Sequence, residues 1–151
     1  MEKDGKLYLT SDDAVLFDSN YRYKISIIEI EHMIKKGTKI TILSNFEKFS
    51  NELQFDKNIL LRVLSISLSC KSGYDKNTNI YYLQGNYNIQ TIKEIIYNFI
   101  QNYLLCSICD KPEVNIKYKK ENIKQKCRAC GNNSYLVDCN EDIIHILKNV
   151  N

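Results

Sequence analysis

Two Cys-x-x-Cys pairs constrain this chain more than any other feature: Cys106-Ser-Ile-Cys109 and, seventeen residues on, Cys127-Arg-Ala-Cys130-Gly131. Thiols at that separation match a site of four thiolates around one metal ion, with each pair on a tight knuckle and the linking segment returning as a hairpin. Val114 to Tyr118 and Ile123 to Cys127 read as strands around the polar turn Lys119-Lys120-Glu121-Asn122, and Tyr135 to Asp138 can supply a third. This is the plan of a zinc ribbon. A ribbon of about thirty residues buries too little apolar surface to offset its chain entropy, so a single zinc ion on Cys106, Cys109, Cys127 and Cys130 is expected to be structural. Four thiolates leave no position for an activated water, which argues against hydrolytic zinc chemistry. A disulfide framework or a thioredoxin-like redox pair are the rival readings. Neither accounts for two such pairs in a chain that begins Met-Glu-Lys-Asp-Gly, which is no secretory leader, and the expected location is the reducing cytoplasm. Cys70 and Cys139 stand at no ligand spacing and read as ordinary thiols.

The chain has 151 residues, enough for one core of ordinary size plus the ribbon. No apolar run approaches the length of a membrane span. The expected fold class is α+β: an acidic, loosely docked tail over 1–20, a small βααββα core domain over 21–103, and over 104–151 a four-cysteine zinc ribbon with a short C-terminal helix. Apolar β-branched residues from Ile25 to Ile34 and from Lys39 to Leu43 predict two strands around Lys35-Lys36-Gly37. Ser44 to Glu47 has the form of a capping box opening a short helix to Leu53, and Asp56 is placed to cap a second helix running to Leu68. Ser72 to Tyr74 and Ile80 to Leu83 predict a hairpin. Ile89, Ile92, Ile95, Ile96, Phe99, Ile100 and Tyr103 step by three and four, which predicts a helix over 88–103 leading into the first knuckle.

Charge is unevenly placed. Residues 1–20 carry five acids against two lysines, whereas 104–137 carry seven bases against three acids. On the two ribbon strands Lys117 aligns with Lys119 and Lys124 with Lys126, and with Lys120 and Arg128 these are the candidate contacts for RNA phosphates. A solvated face on a lysine-rich chain is the plainer alternative. His32 and His145 stand alone on their elements, and no phosphate loop, catalytic triad or carboxylate pair occurs, so the chain does not read as a self-contained enzyme. Only three arginines are present, Arg22, Arg62 and Arg128.

Tyr21-Arg22-Tyr23-Lys24, the βααββα order closing at Gly85, and the run Cys106-x-x-Cys109-x-x-Pro112-Glu113 with Cys127-Arg-Ala-Cys130-Gly131 together resemble the N-terminal domain of eukaryotic translation initiation factor 5, a family shared with the beta subunit of translation initiation factor 2. The likeness covers 21–149. It implies an accessory factor, monomeric outside its complex, that binds the GTP-bound gamma subunit of initiation factor 2 near initiator tRNA and the small ribosomal subunit. It further implies that Arg22, on a mobile segment, is supplied in trans to promote GTP hydrolysis, while Arg62 and Lys39 contact the GTPase. Lys39 lies one residue before the position at which the family has its strand lysine; Ile40 occupies that position.

Overall fold

A computed structural model of the chain describes residues 1–150, and they form two compact units. One comprises 27–96. The other is discontinuous and joins Met1–Ser26 to the residues from Tyr97 onward. Both boundaries differ from the expected ones at 20, 103 and 104.

The 27–96 unit is built on a four-stranded antiparallel sheet of β4 (Ile30–Lys35), β5 (Thr38–Leu43), β6 (Ser72–Asp75) and β7 (Ile80–Gln84), in the order β4-β5-β7-β6. The β4–β5 turn passes through Lys36 and Gly37, both at positive φ as a two-residue hairpin demands. Between β5 and β6 run α1 (Phe46–Leu53) and α2 (Lys57–Ser67). The register puts Thr41 beside Leu83 and Leu43 beside Tyr81, and these four are buried, with the Phe46 ring 5.3 Å from that of Tyr81. Asp56 caps α2, accepting from the N–H groups of Asn58 and Ile59. The capping box at Ser44 does not form. Asn45 precedes α1 instead, and its side-chain amide donates to the Ile27 carbonyl while its oxygen accepts from the Glu29 N–H. Tertiary partners have taken the group that would otherwise cap the helix.

In the discontinuous unit, β1 (Glu2–Lys3), β2 (Lys6–Tyr8) and β3 (Lys24–Ser26) form one antiparallel sheet, followed in sequence after β2 by a 3-10 turn over Asp13–Phe17. Residues 1–20 are therefore not a loose tail. Leu7, Tyr8, Leu9 and Thr10 are buried, and Leu7 pairs with Ile25 across the sheet. The expected strand over 25–34 is two strands, one in each unit, which is why the domain boundary escapes a reading by hydropathy alone. The ribbon sheet has β8 (Val114–Lys119), β9 (Asn122–Cys127) and β10 (Asn133–Tyr135) in the order β10-β9-β8. The third strand follows the second knuckle directly instead of starting at Tyr135, and Asp138 lies at φ +53, outside any strand. Helix α4 (Glu141–Val150) packs on β8 and β9, with Ile143, Ile146 and Leu147 buried. Among the described residues no helix is long and apolar enough to cross a membrane.

The division between the units falls within α3 (Ile89–Phe99), which passes into a π-helical turn over Ile100–Leu104. The Leu105 N–H reaches back to the Ile100 carbonyl at 3.1 Å, closing the wide turn.

Candidate metal centre and the Arg22 segment

The four cysteines named from spacing meet. Their sulfurs all lie within 4.8 Å of one another, with 3.7 Å between Cys106 and Cys130 and 3.7 Å between Cys109 and Cys127. A tetrahedron with metal–sulfur bonds of ~2.3 Å has edges of about 3.8 Å, so the cluster already has the size of a thiolate metal site. Backbone donors support the sulfurs as knuckles do: Ile108 N–H on Cys106 at 3.4 Å, and Ala129 and Cys130 N–H on Cys127 at 3.3 and 3.5 Å. Burial opposes ionisation of Cys127, yet those two N–H groups bring its thiol down to about 7. These residues could hold a metal ion. Cys70 and Cys139 are free thiols outside the cluster.

Gln125 ties the cluster to the helix that precedes it. Fully buried on the inward face of β9, between Ile123 and Cys127, it donates to the carbonyls of Tyr103 and Leu105 at 3.2 and 2.9 Å and accepts from Ser107 N–H at 3.3 Å. Sequence reasoning passed over it. The available signal was a polar residue at the inward step of a strand whose neighbours there are apolar or cysteine, since such a group must find partners inside.

Arg22 is exposed, two residues before the start of β3. Its guanidinium carbon lies 5.1 Å from the centroid of the Tyr23 ring, within range of a cation–π contact. The segment that carries it, expected to be mobile, is hydrogen-bonded on both sides. Leu9 N–H donates to the Tyr23 carbonyl at 2.9 Å, the Tyr21 hydroxyl donates to the Leu9 carbonyl at 2.7 Å, and the Tyr21 ring stacks on Tyr8 with centroids 6.1 Å apart. Burial, with the Asp110 carboxylate nearby, pushes the Tyr21 hydroxyl up to about 12, so it remains a donor.

Arg62 and Lys39 belong to the other unit. Arg62 projects from α2 as an exposed residue flanked by buried Leu61 and Val63. Lys39 pairs with Ile34 and shares the sheet face of Thr41, so Ile40 and Lys39 point to opposite faces and no register shift brings the lysine into step. It is exposed at the rim of a groove of about 470 Å³ lined by His32, Met33, Ile34, Ile40 and Asn86. His32 is engaged by its ring nitrogen to the Tyr87 carbonyl at 2.7 Å.

The register of the ribbon gathers the lysines more closely than strand alternation alone implied. Lys117 stands directly opposite Lys124, and Asn115 opposite Lys126, so Lys117, Lys119, Lys124 and Lys126 line one shallow groove with Asn115 and Asn133. Like charges directly opposite destabilise a sheet, and among the described residues no carboxylate pairs with these four. Lys124 lies 5.8 Å over the Tyr135 ring, and Arg128 donates to Asn115 at 3.2 Å. Lys120 is in the turn, where it and Glu121 both adopt positive φ without a glycine.

Comparison with known proteins places the chain in a family. A family model described as the domain found in initiation factors 2B and 5 matches residues 13–133, most of the chain. Eukaryotic translation initiation factor 5 of Caenorhabditis elegans is 27% identical over 114 residues, covering 76% of this chain and 26% of that protein. The mouse factor of the same name is 26% identical over 135 residues, 87% of this chain and 31% of its own length. Translation initiation factor 2 subunit beta of Methanoregula boonei is 29% identical over 93 residues, 62% of this chain and 45% of that protein. The chain thus spans about a quarter to a third of the factor 5 relatives and under half of this subunit beta. By the extent of the family match, this chain belongs to the translation initiation factor family that carries the domain found in initiation factors 2B and 5.

Proposed function

We propose that this chain binds the GTP-bound gamma subunit of initiation factor 2 and accelerates GTP hydrolysis, with Arg22 supplied in trans. The observation that carries the reading is the state of Arg22: an exposed guanidinium on a segment whose flanking residues are buried or hydrogen-bonded. Charge that develops on a phosphoryl group in flight is best met by a donor already in place, because no reorganisation is then needed at the moment of reaction. Arg62 and Lys39, exposed on the other unit, contribute docking contacts with the GTPase. Zinc is the metal that suits four thiolates, and it acts as a structural ion held by Cys106, Cys109, Cys127 and Cys130. The working surroundings are initiator tRNA and the small ribosomal subunit in the cytoplasm. The test is single-turnover GTP hydrolysis in an assembled GTPase, initiator-tRNA and ribosomal-subunit complex. Addition of the protein is expected to raise the rate by orders of magnitude, and binding without acceleration would reject the reading.

A second reading, that of a non-catalytic component resembling the beta subunit, draws on the lysine face of the ribbon. Four lysines aligned without carboxylate partners suit a run of phosphates, and a single strand that engages all four gives a log–log salt slope of about −3. Replacing Lys117, Lys119, Lys124 and Lys126 by glutamine is expected to flatten that slope and weaken RNA binding uniformly across sequences. RNA affinity that survives the fourfold substitution would leave these lysines as a solvated surface.

A further inference from the structure

The two knuckles differ in the residue that follows the second cysteine, and the N-terminal segment is fastened at that residue. Each knuckle ends in the left-handed region: Gly131 at φ +77 follows Cys130, and Asp110 at φ +60 follows Cys109. Glycine takes that conformation without steric cost, and aspartate is among the few other residues that visit it, at a modest cost. What sets Asp110 apart is its contacts. Asp110 makes three. Its Oδ2 accepts from the Thr10 hydroxyl at 2.6 Å and from the Ser11 N–H at 2.9 Å, and its Oδ1 accepts from the Ser11 hydroxyl. A little further along the same loop Glu113 accepts from the Tyr23 hydroxyl, and its own carbonyl accepts from the Arg128 N–H of the second knuckle at 2.8 Å. The Tyr-Arg-Tyr-Lys and Pro-Glu motifs, far apart in sequence, are therefore in contact. Hydrogen bonds to a carboxylate are roughly twice as strong as neutral ones, and here they act on both sides of Arg22.

We propose that Asp110 and Glu113 are positioning residues: they latch residues 10–11 and Tyr23 onto the first cysteine knuckle, so that the place of the Arg22 guanidinium depends on an intact knuckle. The role of the latch in hydrolysis rests on the proposed function, whereas the latch itself does not. Asp110→Gly separates it from the fold, because glycine suits the knuckle backbone and removes only the carboxylate. That variant is expected to keep the wild-type metal content, to speed amide hydrogen exchange at 9–11 and 23–25 at least tenfold, and to leave β8 and β9 unchanged. Asp110→Asn, which tolerates the same backbone and retains an acceptor oxygen, is expected to recover part of the protection. Wild-type protection at those amides, or equal acceleration across the ribbon, would overturn the latch. In single-turnover hydrolysis, Asp110→Gly is expected to cost about tenfold to a hundredfold, as displacement of a reacting group does, and to cost nothing further once Arg22 is alanine. Equal loss in both backgrounds would make Asp110 merely structural and overturn the positioning role. If wild-type protein gives no acceleration, the GTPase reading fails, and the exchange data then decide the latch by themselves.

Discussion

Arg22→Ala is expected to lower the single-turnover rate of the assembled complex by roughly three orders of magnitude, the lower end of what an arginine finger contributes. Affinity for the GTPase is expected to change far less. The guanidinium is exposed in the free protein and its flanking residues have partners without it, so on the proposed role its removal would take away an interaction with the transition state and little of the docking surface. Arg22→Lys should rescue little, since an ammonium is a point charge that cannot bridge two oxygens and is more strongly hydrated. Arg62→Ala is expected to show the opposite signature, weaker docking with a near-normal rate at saturation, because a docking contact is made equally in the ground and transition states. A loss for Arg22→Ala that lies wholly in complex affinity would place the arginine in the interface and out of the chemistry.

Metal removal is expected to have the largest effect on the fold. Structural zinc contributes on the order of 10–16 kcal/mol of apparent binding free energy in small ribbons and fingers, comparable to or above the ~5–15 kcal/mol net stability of a whole domain. The discontinuous unit has an apolar core of its own, including Leu7, Ile25, Phe99, Ile100, Ile123 and Ile146, but Cys106 and Cys127 are buried inside it. Without the ion, four sulfurs within 4.8 Å must either carry protons or repel. Chelation under reducing conditions is therefore expected to abolish amide protection in β8, β9 and the N-terminal sheet, while the 27–96 unit keeps its protection until a second, later transition. The checks are metal content, expected at one zinc per chain, and residue-resolved hydrogen exchange. A chelated protein with an unchanged ribbon would refute the structural role.

What the residues announce, and what they conceal, follows from how local the cause is. The ribbon was legible because Cys spacing and two alternating strands are short-range patterns, and the capped start of α2 because Asp56 finds its partners within three residues. The N-terminal sheet was not legible: β1 and β2 are two and three residues long, their acids suggest solvent, and the burial of Leu7 to Leu9 arises from partners distant in sequence. The same reason hid Asn45, whose amide is claimed by Ile27 and Glu29, and also Asp110. Only the contrast between Cys109-Asp110 and Cys130-Gly131 hinted that an aspartate sits where the backbone favours glycine. Lys39 is the converse case, since the alternation of a strand sets its face against that of Ile40 whatever the turn contributes.

The discontinuity of the N-terminal unit also has a consequence for biosynthesis. Residues 1–26 are translated before the intervening unit, yet Thr10, Ser11 and Tyr23 take their partners Asp110 and Glu113 from the stretch beyond Tyr97. The 27–96 unit can complete itself on the nascent chain, as domains generally do during synthesis, before those contacts are available. Those contacts can form only after the first knuckle and Glu113 have been translated. A polypeptide stalled before Asp110 can thus hold a finished 27–96 unit while the contacts that fasten the arginine's segment are still unmade.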